Sequence, residues 1–282
     1  MNHGSFKKIK PLSKKSLSSL EGLYQNFSNK EFKQIKKIEE KTKHDVNAVV
    51  VFISKKLKQI DRKDLMPLVH FGLTSEDINN TSYSLMTKDA VSNILAPAIK
   101  SVLKELKKLS RKTKRLPLLS LTHGQPATAT TLGKEMTIFV VRAERQLKQA
   151  QKMKLLAKFS GATGSYAAHN IAFPNSSWAG FSKKFIKSLG LEQCPVSSQV
   201  EPGDSMAELL HIFTRINNIF SDFALDMWLY ISRNILIQKN IAGEVGSSTM
   251  PHKINPIFFE IAEGNLDIGS NNFSFLASRI TR

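Results

Sequence analysis

The chain has 282 residues, of which 41% are hydrophobic, so it can bury a substantial core in one or two domains. Its single cysteine, Cys194, excludes an intrachain disulfide and fits a reducing compartment such as the cytoplasm. We expect Cys194 to act as a small buried hydrophobic residue. No apolar run is long enough to cross a membrane, and residues 1–15 lack the apolar centre of a secretory signal.

The net charge of +18 raises nucleic-acid binding as an alternative function. Most of the positive charges are lysines spread along the chain, and aromatic residues do not alternate with them as a base-stacking surface would require. We therefore expect the charge to lie on solvated helix faces and to attract an anionic substrate. We expect neither a membrane nor a nucleic acid as the main partner.

The first 65 residues carry the pattern of short, lysine-rich helices. A broken apolar stripe extends from Ile35 to Ile53, and the polar segment from Lys41 to Asp45 interrupts it. A second short apolar pattern extends from Leu65 to Phe71. We interpret residues 1–65 as a partial N-terminal helical domain.

Apolar residues recur every three or four positions through four later segments, which predicts long helices. These segments cover about residues 81–115, 130–159, 205–238 and 256 to the end. Three are longer than about 25 residues, a length typical of helical bundles. Pro97 should start or kink a turn in the first segment. We predict no strand-rich region, and irregular connections over residues 116–129 and 160–204.

Residues 246–256 concentrate reactive groups in the segment Gly-Ser-Ser-Thr-Met-Pro-His-Lys-Ile-Asn-Pro. Glycine permits unusual backbone angles and proline blocks continuation of a helix, so we predict a shaped loop that ends at a helix start. An ordinary surface loop is the alternative. The segment resembles Gly-Ser-Ser-x-Met-Pro-x-Lys-x-Asn, the signature of the fumarase/aspartase superfamily of lyases. That resemblance implies elimination of fumarate, or a close relative of it, from a succinyl compound.

A second group of reactive side chains, Thr-His-Gly-Gln-Pro-Ala-Thr, covers residues 122–128. It places His123 in a loop just before a predicted helix, where an imidazole can serve as a proton donor. Taken alone, such a histidine is more often structural. Because the same chain also carries the signature loop, we favour a catalytic role for His123.

Two further groups precede it in the chain. Residues 74–80 read Thr-Ser-Glu-Asp-Ile-Asn-Asn, a helix start at which Ser75 or Asp77 can cap. Capping is compatible with ligand contact, since hydroxyls and free N–H groups suit carboxylates or phosphates. Residues 43–46 contain a His-Asp pair, which is usually a surface pair.

Together these groups resemble the bacterial type of the adenylosuccinate lyase family, within the same superfamily. The likeness extends through residues 133–135, 199–202 and 241–244, and covers about residues 38–277. It implies a β-elimination that breaks a C–N bond. Adenylosuccinate would give AMP and fumarate, and the succinyl-carboxamide ribotide of purine biosynthesis would give the free ribotide and fumarate. The substrate is then an anionic nucleotide, and no metal or other cofactor is implied.

By this resemblance, Ser247 is the catalytic base that removes a proton from the carbon next to a carboxylate. Lys253 and Asn255 hold that carboxylate and stabilise the charge that develops on it. His123 is the general acid that protonates the departing nitrogen, and Glu260 orients this histidine.

The other matched positions bind substrate, and one of them is also a candidate base. Ser248 adjoins Ser247, and the sequence does not separate the two hydroxyls. The substrate-binding positions are His44, Asp45, Thr74, Ser75, Thr122, Gln199, Ser248 and Met250.

The resemblance implies an all-α fold, a long-helix bundle in a homotetramer in which three subunits build each active site. We interpret residues 66–282 as the central helical-bundle domain without its last helix, and we expect the C-terminal domain to be absent. The family's phosphate-binding Arg-Tyr pair and its arginine-rich substrate-binding segment have no match here. A separate chain would then supply the missing C-terminal part. The alternative is an inactive truncated remnant that acts at most as an interaction partner of full-length subunits.

Three residues depart from the family pattern. Phe258 and Ile261 stand where the family usually has Asp and Asn, and Lys43 replaces an amide. Phe258 is either a packing change or a sign of relaxed constraint, and the sequence leaves both readings open.

Overall fold

The structure, a computed structural model, describes residues 11–239, 249–250 and 252–281. Contacts divide the chain into two units: the first comprises residues 1–85 and 156–201, and the second comprises residues 86–155 and 202–282. These units reflect packing within one chain and do not test the domain boundary expected after residue 65. That boundary stays a prediction. None of the described helices has the length and hydropathy that crossing a membrane would need.

Helices account for most of the described chain, which confirms the all-α fold class. The helices are α1 (Lys14–Gln25), α2 (Asn29–Thr42), α3 (Asp45–Gln59), α4 (Ser75–Ala90), α5 (Ala96–Lys112), α6 (Leu132–Lys152), α7 (Ala167–Ala172), α8 (Trp178–Ser188), α9 (Asp204–Ser232) and α10 (Ile257–Ile280). A 3-10 turn covers Lys63–Leu68 and a π turn covers Val91–Leu95. The strands are β1 (Pro117–Thr122), β2 (Gln125–Thr131), β3 (Leu156–Ala157) and β4 (Glu192–Gln193).

In the first unit, local caps separate the short helices. Ser28 and Glu31 form a reciprocal capping box at the start of α2. Lys43 ends α2 in the left-handed conformation, with φ of +52°, and the ring of His44 caps α3. The predicted short helices are therefore confirmed, together with their interruption between Lys41 and Asp45. Later in this unit, β3 and β4 pair in parallel.

In the second unit, α9 packs against α10 and α6, and α6 packs against α5. The buried face of α6 has the three- and four-residue spacing that predicted it, which confirms this stripe as core. Its members include Met136, Phe139, Val140, Ala143, Leu147 and Ala150. Burial of such a stripe removes large apolar side chains from water, each worth about 1.5–3 kcal/mol.

The helix lengths differ from the prediction. Among the described helices only α9, with 29 residues, is longer than about 25 residues. The segment predicted as one helix over residues 81–115 contains the π turn at Val91–Leu95, directly before Pro97 near the start of α5. Proline lacks the N–H that would continue the hydrogen-bond ladder, so the backbone loosens there. Pro97 itself lies in the first turn of α5, and helical backbone continues from α4 through the π turn into α5. The start or kink of a turn expected at Pro97 stays a prediction.

The prediction of an irregular connection over residues 116–129 was wrong, because β1 and β2 form an antiparallel hairpin there. Thr122 pairs with Gln125, and the two residues between them have positive φ, +53° at His123 and +73° at Gly124. That pair of angles is the type I′ turn, whose twist matches a hairpin. β1 is rich in leucine without alternating apolar and polar residues, and β2 is small, polar and largely exposed. Neither strand therefore shows the apolar alternation that would have revealed it.

Candidate active site

Four of the predicted substrate-binding residues come together in the first unit, at the start of α4. Gln199 Nε2 donates a hydrogen bond of 3.3 Å to Thr74 Oγ1. His44 Nε2 lies 3.5 Å from Ser75 Oγ. These residues come from three separate stretches of the chain, and His44 and Gln199 are exposed, so a ligand can reach the cluster. We call Thr74, Ser75, His44 and Gln199 the α4 cluster.

The orientation of His44 follows from its role as a helix cap. Its Nδ1 accepts the backbone N–H of Asn47 at 3.3 Å. The other ring nitrogen, Nε2, faces Ser75 Oγ. The Asp45 carboxylate lies 3.3 Å from Nδ1 and is exposed in the first turn of α3. Asp45 therefore adjoins the α4 cluster through His44.

Beneath the α4 cluster lies a buried ion pair, Asp77 and Lys158. The Lys158 ammonium lies 3.2 Å from Asp77 Oδ1, and both side chains are fully buried. Asp77 also accepts the N–H groups of Thr74, Ser160 and Gly161 at 2.8, 2.9 and 3.1 Å. Lys158 donates to the carbonyls of Gly161 and Gln199 at 2.8 and 2.6 Å.

Sequence reasoning found only half of this pair. It named Asp77 as a helix cap, and the carboxylate does take the N–H of Thr74, the residue before α4. Lys158 gave no signal, because one lysine in a lysine-rich chain is not distinguished by its neighbours along the sequence.

Two titratable groups respond to burial around this pair. Burial raises the pKa of the Glu76 carboxyl, and the charge of Lys158 partly offsets that increase. Burial lowers the pKa of the His169 imidazole, against the opposing charge of Asp77. The ring of His169 lies against Phe71 and Trp178, and neither of its nitrogens has a hydrogen-bond partner among the residues that the structure describes.

The predicted general acid lies in the second unit. His123 and Thr122 are exposed at the tip of the hairpin formed by β1 and β2. Arg233 Nη1 donates to the carbonyl of Gly124 at 3.2 Å, which ties the hairpin turn to the end of α9. The imidazole is thus presented to solvent on a turn that is held in place from below.

The described part of the signature loop leads into α10. Lys253 N–H donates to the carbonyl of Met250 at 3.0 Å, and Asn255 is half-buried just before the helix. Glu260, in the first turn of α10, accepts a 3.1 Å hydrogen bond from Trp228 Nε1. Among the described residues of this chain, no hydrogen bond or ion pair joins Glu260 to the predicted general acid.

The predicted base Ser247 and its alternative Ser248 lie outside the described residues. Of the predicted site residues, the structure brings together the four of the α4 cluster and places Asp45 beside them. The other predicted site residues, except Ser247 and Ser248, lie in the second unit.

A sequence model of a lyase family, described simply as "Lyase", matches residues 8–266. The chain belongs to this lyase family. The chain is 42% identical to adenylosuccinate lyase of Haemophilus influenzae over 273 residues, which are 96% of this chain and 60% of the relative. It is 42% identical to adenylosuccinate lyase of Escherichia coli strain K12, over 99% of this chain and 61% of the relative. The Vibrio cholerae adenylosuccinate lyase is 44% identical over 93% of this chain and 58% of its own length.

Solved structures share the fold of this chain. A fumarate lyase from Mesorhizobium sp. BNC1 superposes with a TM-score of 0.72 at 17% identity, covering 99% of this chain and 61% of that one. The 3-carboxy-cis,cis-muconate lactonizing enzyme of Pseudomonas putida superposes with a TM-score of 0.73 at 20% identity, with the same coverage. The chain thus spans about three fifths of the length of the relatives it matches.

Proposed function

We propose that this lyase catalyses the reactions of adenylosuccinate lyase, releasing fumarate from adenylosuccinate to leave AMP and from the succinyl-carboxamide ribotide of purine biosynthesis. The observation that carries the proposal is identity of 42% to 44%, over 93% or more of the chain, to relatives with that name. The α4 cluster supports it, because hydroxyl, amide and imidazole groups at a helix start suit an anionic substrate.

The chemistry begins with loss of a proton from the carbon next to a substrate carboxylate. Ser247 takes this proton, with Ser248 as the alternative, and negative charge develops on the carboxylate. Lys253 and Asn255 stabilise that charge, since donors that are already oriented act most strongly in a closed site. The electron pair then forms the double bond of fumarate as the C–N bond breaks.

The departing nitrogen takes a proton from His123. The exposed position of this imidazole on a tethered turn supports that role, because a proton donor must reach the substrate. Glu260 is proposed to orient His123. Thr122 and Met250 are proposed to bind substrate beside them, as are Asp45 and the α4 cluster.

The proposal includes assembly into a cytoplasmic homotetramer whose active sites combine three subunits. It accounts for the lack of a hydrogen bond or ion pair between Glu260 and His123 among the described residues of one chain, because the two residues would meet across a subunit interface. A separate polypeptide that supplies the remaining length of the relatives is compatible with the same assembly.

The test is fumarate release from adenylosuccinate by the purified protein, compared with Ser247→Ala and Ser248→Ala. We expect Ser247→Ala to remove turnover while substrate binding stays largely intact, because the hydroxyl acts on a proton rather than on ground-state binding. Loss of turnover only in Ser248→Ala would transfer the role of base to Ser248. No release by the assembled wild-type protein would favour the inactive remnant that acts as an interaction partner.

A further inference from the structure

The ion pair of Lys158 and Asp77 is closed to any ligand, because both side chains are fully buried. A buried ion pair is weak evidence for stability, since the desolvation of two charges offsets much of their attraction. The pair cannot touch substrate either. Any effect on a reaction must therefore pass through the groups to which it is hydrogen-bonded.

Those groups belong to the backbone of the α4 cluster. Asp77 Oδ2 accepts the N–H of Thr74 at 2.8 Å, and Lys158 Nζ donates to the carbonyl of Gln199 at 2.6 Å. Asp77 Oδ1 accepts the N–H of Ser160 at 2.9 Å, which anchors the pair to a third segment. Hydrogen bonds to charged groups are about twice as strong as neutral ones. One ion pair therefore holds Thr74 and Gln199 from below.

The side chains of Thr74 and Gln199 meet across 125 residues of sequence, at 3.3 Å. We propose that Lys158 and Asp77 are positioning residues, which fix the spacing of Thr74 and Gln199 so that they can bind an anionic group of the substrate. The inference rests on the proposed function. Lys158 also compensates the charge of Asp77, so that the buried carboxylate does not repel the anion.

The test replaces both members of the pair, Asp77→Asn together with Lys158→Met. Removing one member alone would leave a buried uncompensated charge and could prevent folding, whereas removing both preserves volume and neutrality. We expect a folded protein whose KM for adenylosuccinate rises about tenfold or more, while kcat stays within about threefold. That split separates weakened substrate binding from damage to the chemical step.

A matched control removes a second ion pair of the first unit, Arg62→Met together with Asp64→Asn. The Arg62 guanidinium lies 2.8 and 2.9 Å from the Asp64 carboxylate, and the two residues are only two positions apart. We expect this variant to keep the wild-type KM even if its thermal stability falls. An unchanged KM in the folded Asp77→Asn/Lys158→Met variant would overturn the proposal.

Amide hydrogen exchange supplies a readout that does not need turnover. We expect exchange at Thr74 and Ser160 to accelerate in the double variant, because both N–H groups lose a charged acceptor. If the wild-type protein releases no fumarate, the proposed function has failed, and this exchange result alone decides whether the pair orders the cluster. Unchanged exchange at both positions would refute the positioning role.

Discussion

His123 is held at the first position of a hairpin turn with a φ of +53°. Few residues other than glycine adopt this conformation, and Asn, Asp and His are enriched among those that do. The carbonyl of the next residue, Gly124, accepts a hydrogen bond from Arg233. The imidazole ring is exposed, so the backbone rather than side-chain packing sets its place.

Replacement of His123 by Asn should therefore separate chemistry from stability. Asn tolerates the left-handed conformation, so we expect the free energy of unfolding to change by less than about 0.5 kcal/mol. Turnover should fall by about 10²–10⁴-fold, the usual contribution of a general acid. His211→Asn, at an exposed histidine of α9, is the control and should retain full activity. Unfolding of His123→Asn would mean that the histidine is structural.

The surroundings of the Asp226 side chain, in α9, disfavour its ionised form. Burial raises its pKa above the ordinary value of 3.8, and the charges of Asp222 and Glu135 raise it further. Burial, with the charge of Asp226, also raises the pKa of Tyr230 to about 12. A raised carboxyl pKa in the folded state means that ionisation destabilises the fold. This cost grows as the pH rises above the unfolded value of 3.8, and it is complete once the pH exceeds the folded pKa.

We expect Asp226→Asn to be more stable than the wild type at pH 7, with the difference disappearing once the pH falls below about 3.8, where both states bind the proton. Denaturant unfolding at several pH values measures this. Asp222→Asn is the comparison, because Asp222 is exposed and lies 3.0 Å from Arg142 Nη1. Its replacement removes one of the charges that disfavour ionised Asp226 but also breaks this ion pair, so we expect a smaller gain than for Asp226→Asn. A gain for Asp226→Asn that persists at low pH would exclude ionisation as the cause.

Close helix packing at the start of α6 depends on Gly133. Ser110 Oγ of α5 donates to its carbonyl at 2.9 Å, and the N–H of Gly133 donates to Thr113 at 3.1 Å. A Cβ at Gly133 would lie 2.5 Å from Lys114 Cα, which is backbone and cannot yield easily. The glycine thus permits the approach of α6 to the end of α5.

Gly133→Ala should therefore destabilise the protein by about 1–3 kcal/mol, the usual cost of overpacking. Gly264→Ala is the opposite case, because no atom lies within 4 Å of its added Cβ in α10. It should stabilise the helix by about 0.5–1 kcal/mol. Thermal unfolding of the two variants should show a lower stability for Gly133→Ala and a higher stability for Gly264→Ala. Destabilisation of equal size in both variants would contradict the packing argument.

At the scale of the whole molecule, α10 carries an apolar surface that a single chain leaves exposed among the described residues. Ile261, Ile268 and Phe275 follow one another at seven-residue intervals, and they are 51%, 63% and 63% exposed. Phe258 adds a further exposed apolar side chain to α10, at 71% exposure. A heptad repeat of apolar residues is the pattern by which helices pack along one another.

We expect the protein to self-associate through this face, as the proposed homotetramer requires. Sedimentation should show that the wild-type protein is an oligomer. The double variant Ile268→Asp/Phe275→Asp should sediment as smaller species, because burying a charge between packed helices is costly. Ile171→Asp is the control, since Ile171 of α7 is 74% exposed in the other unit and should not change the assembly. Circular dichroism of each variant should show that it stays helical. An unchanged oligomer in the double variant would locate the interface elsewhere.

Local patterns in the sequence were enough to predict the helical fold, the buried stripe of α6 and membership of the lyase family. Helical periodicity acts over a few residues, so it appears in the sequence directly. The signature loop and the groups around His123 and Thr74 are contiguous segments, so they carry the resemblance without knowledge of the fold. The hairpin at His123 was missed because neither the leucine-rich β1 nor the polar β2 shows the alternation on which strand prediction depends.

Only the tertiary structure decided which of these groups meet. Thr74 and Gln199 touch across 125 residues, and Asp77 accepts the N–H of Ser160 across 83 residues. Sequence spacing does not encode such pairs, because chain folding sets their separation. Lys158 shows this most clearly: its sequence neighbourhood resembles that of any other lysine in the chain, and its full burial against Asp77 alone reveals a role beneath the α4 cluster.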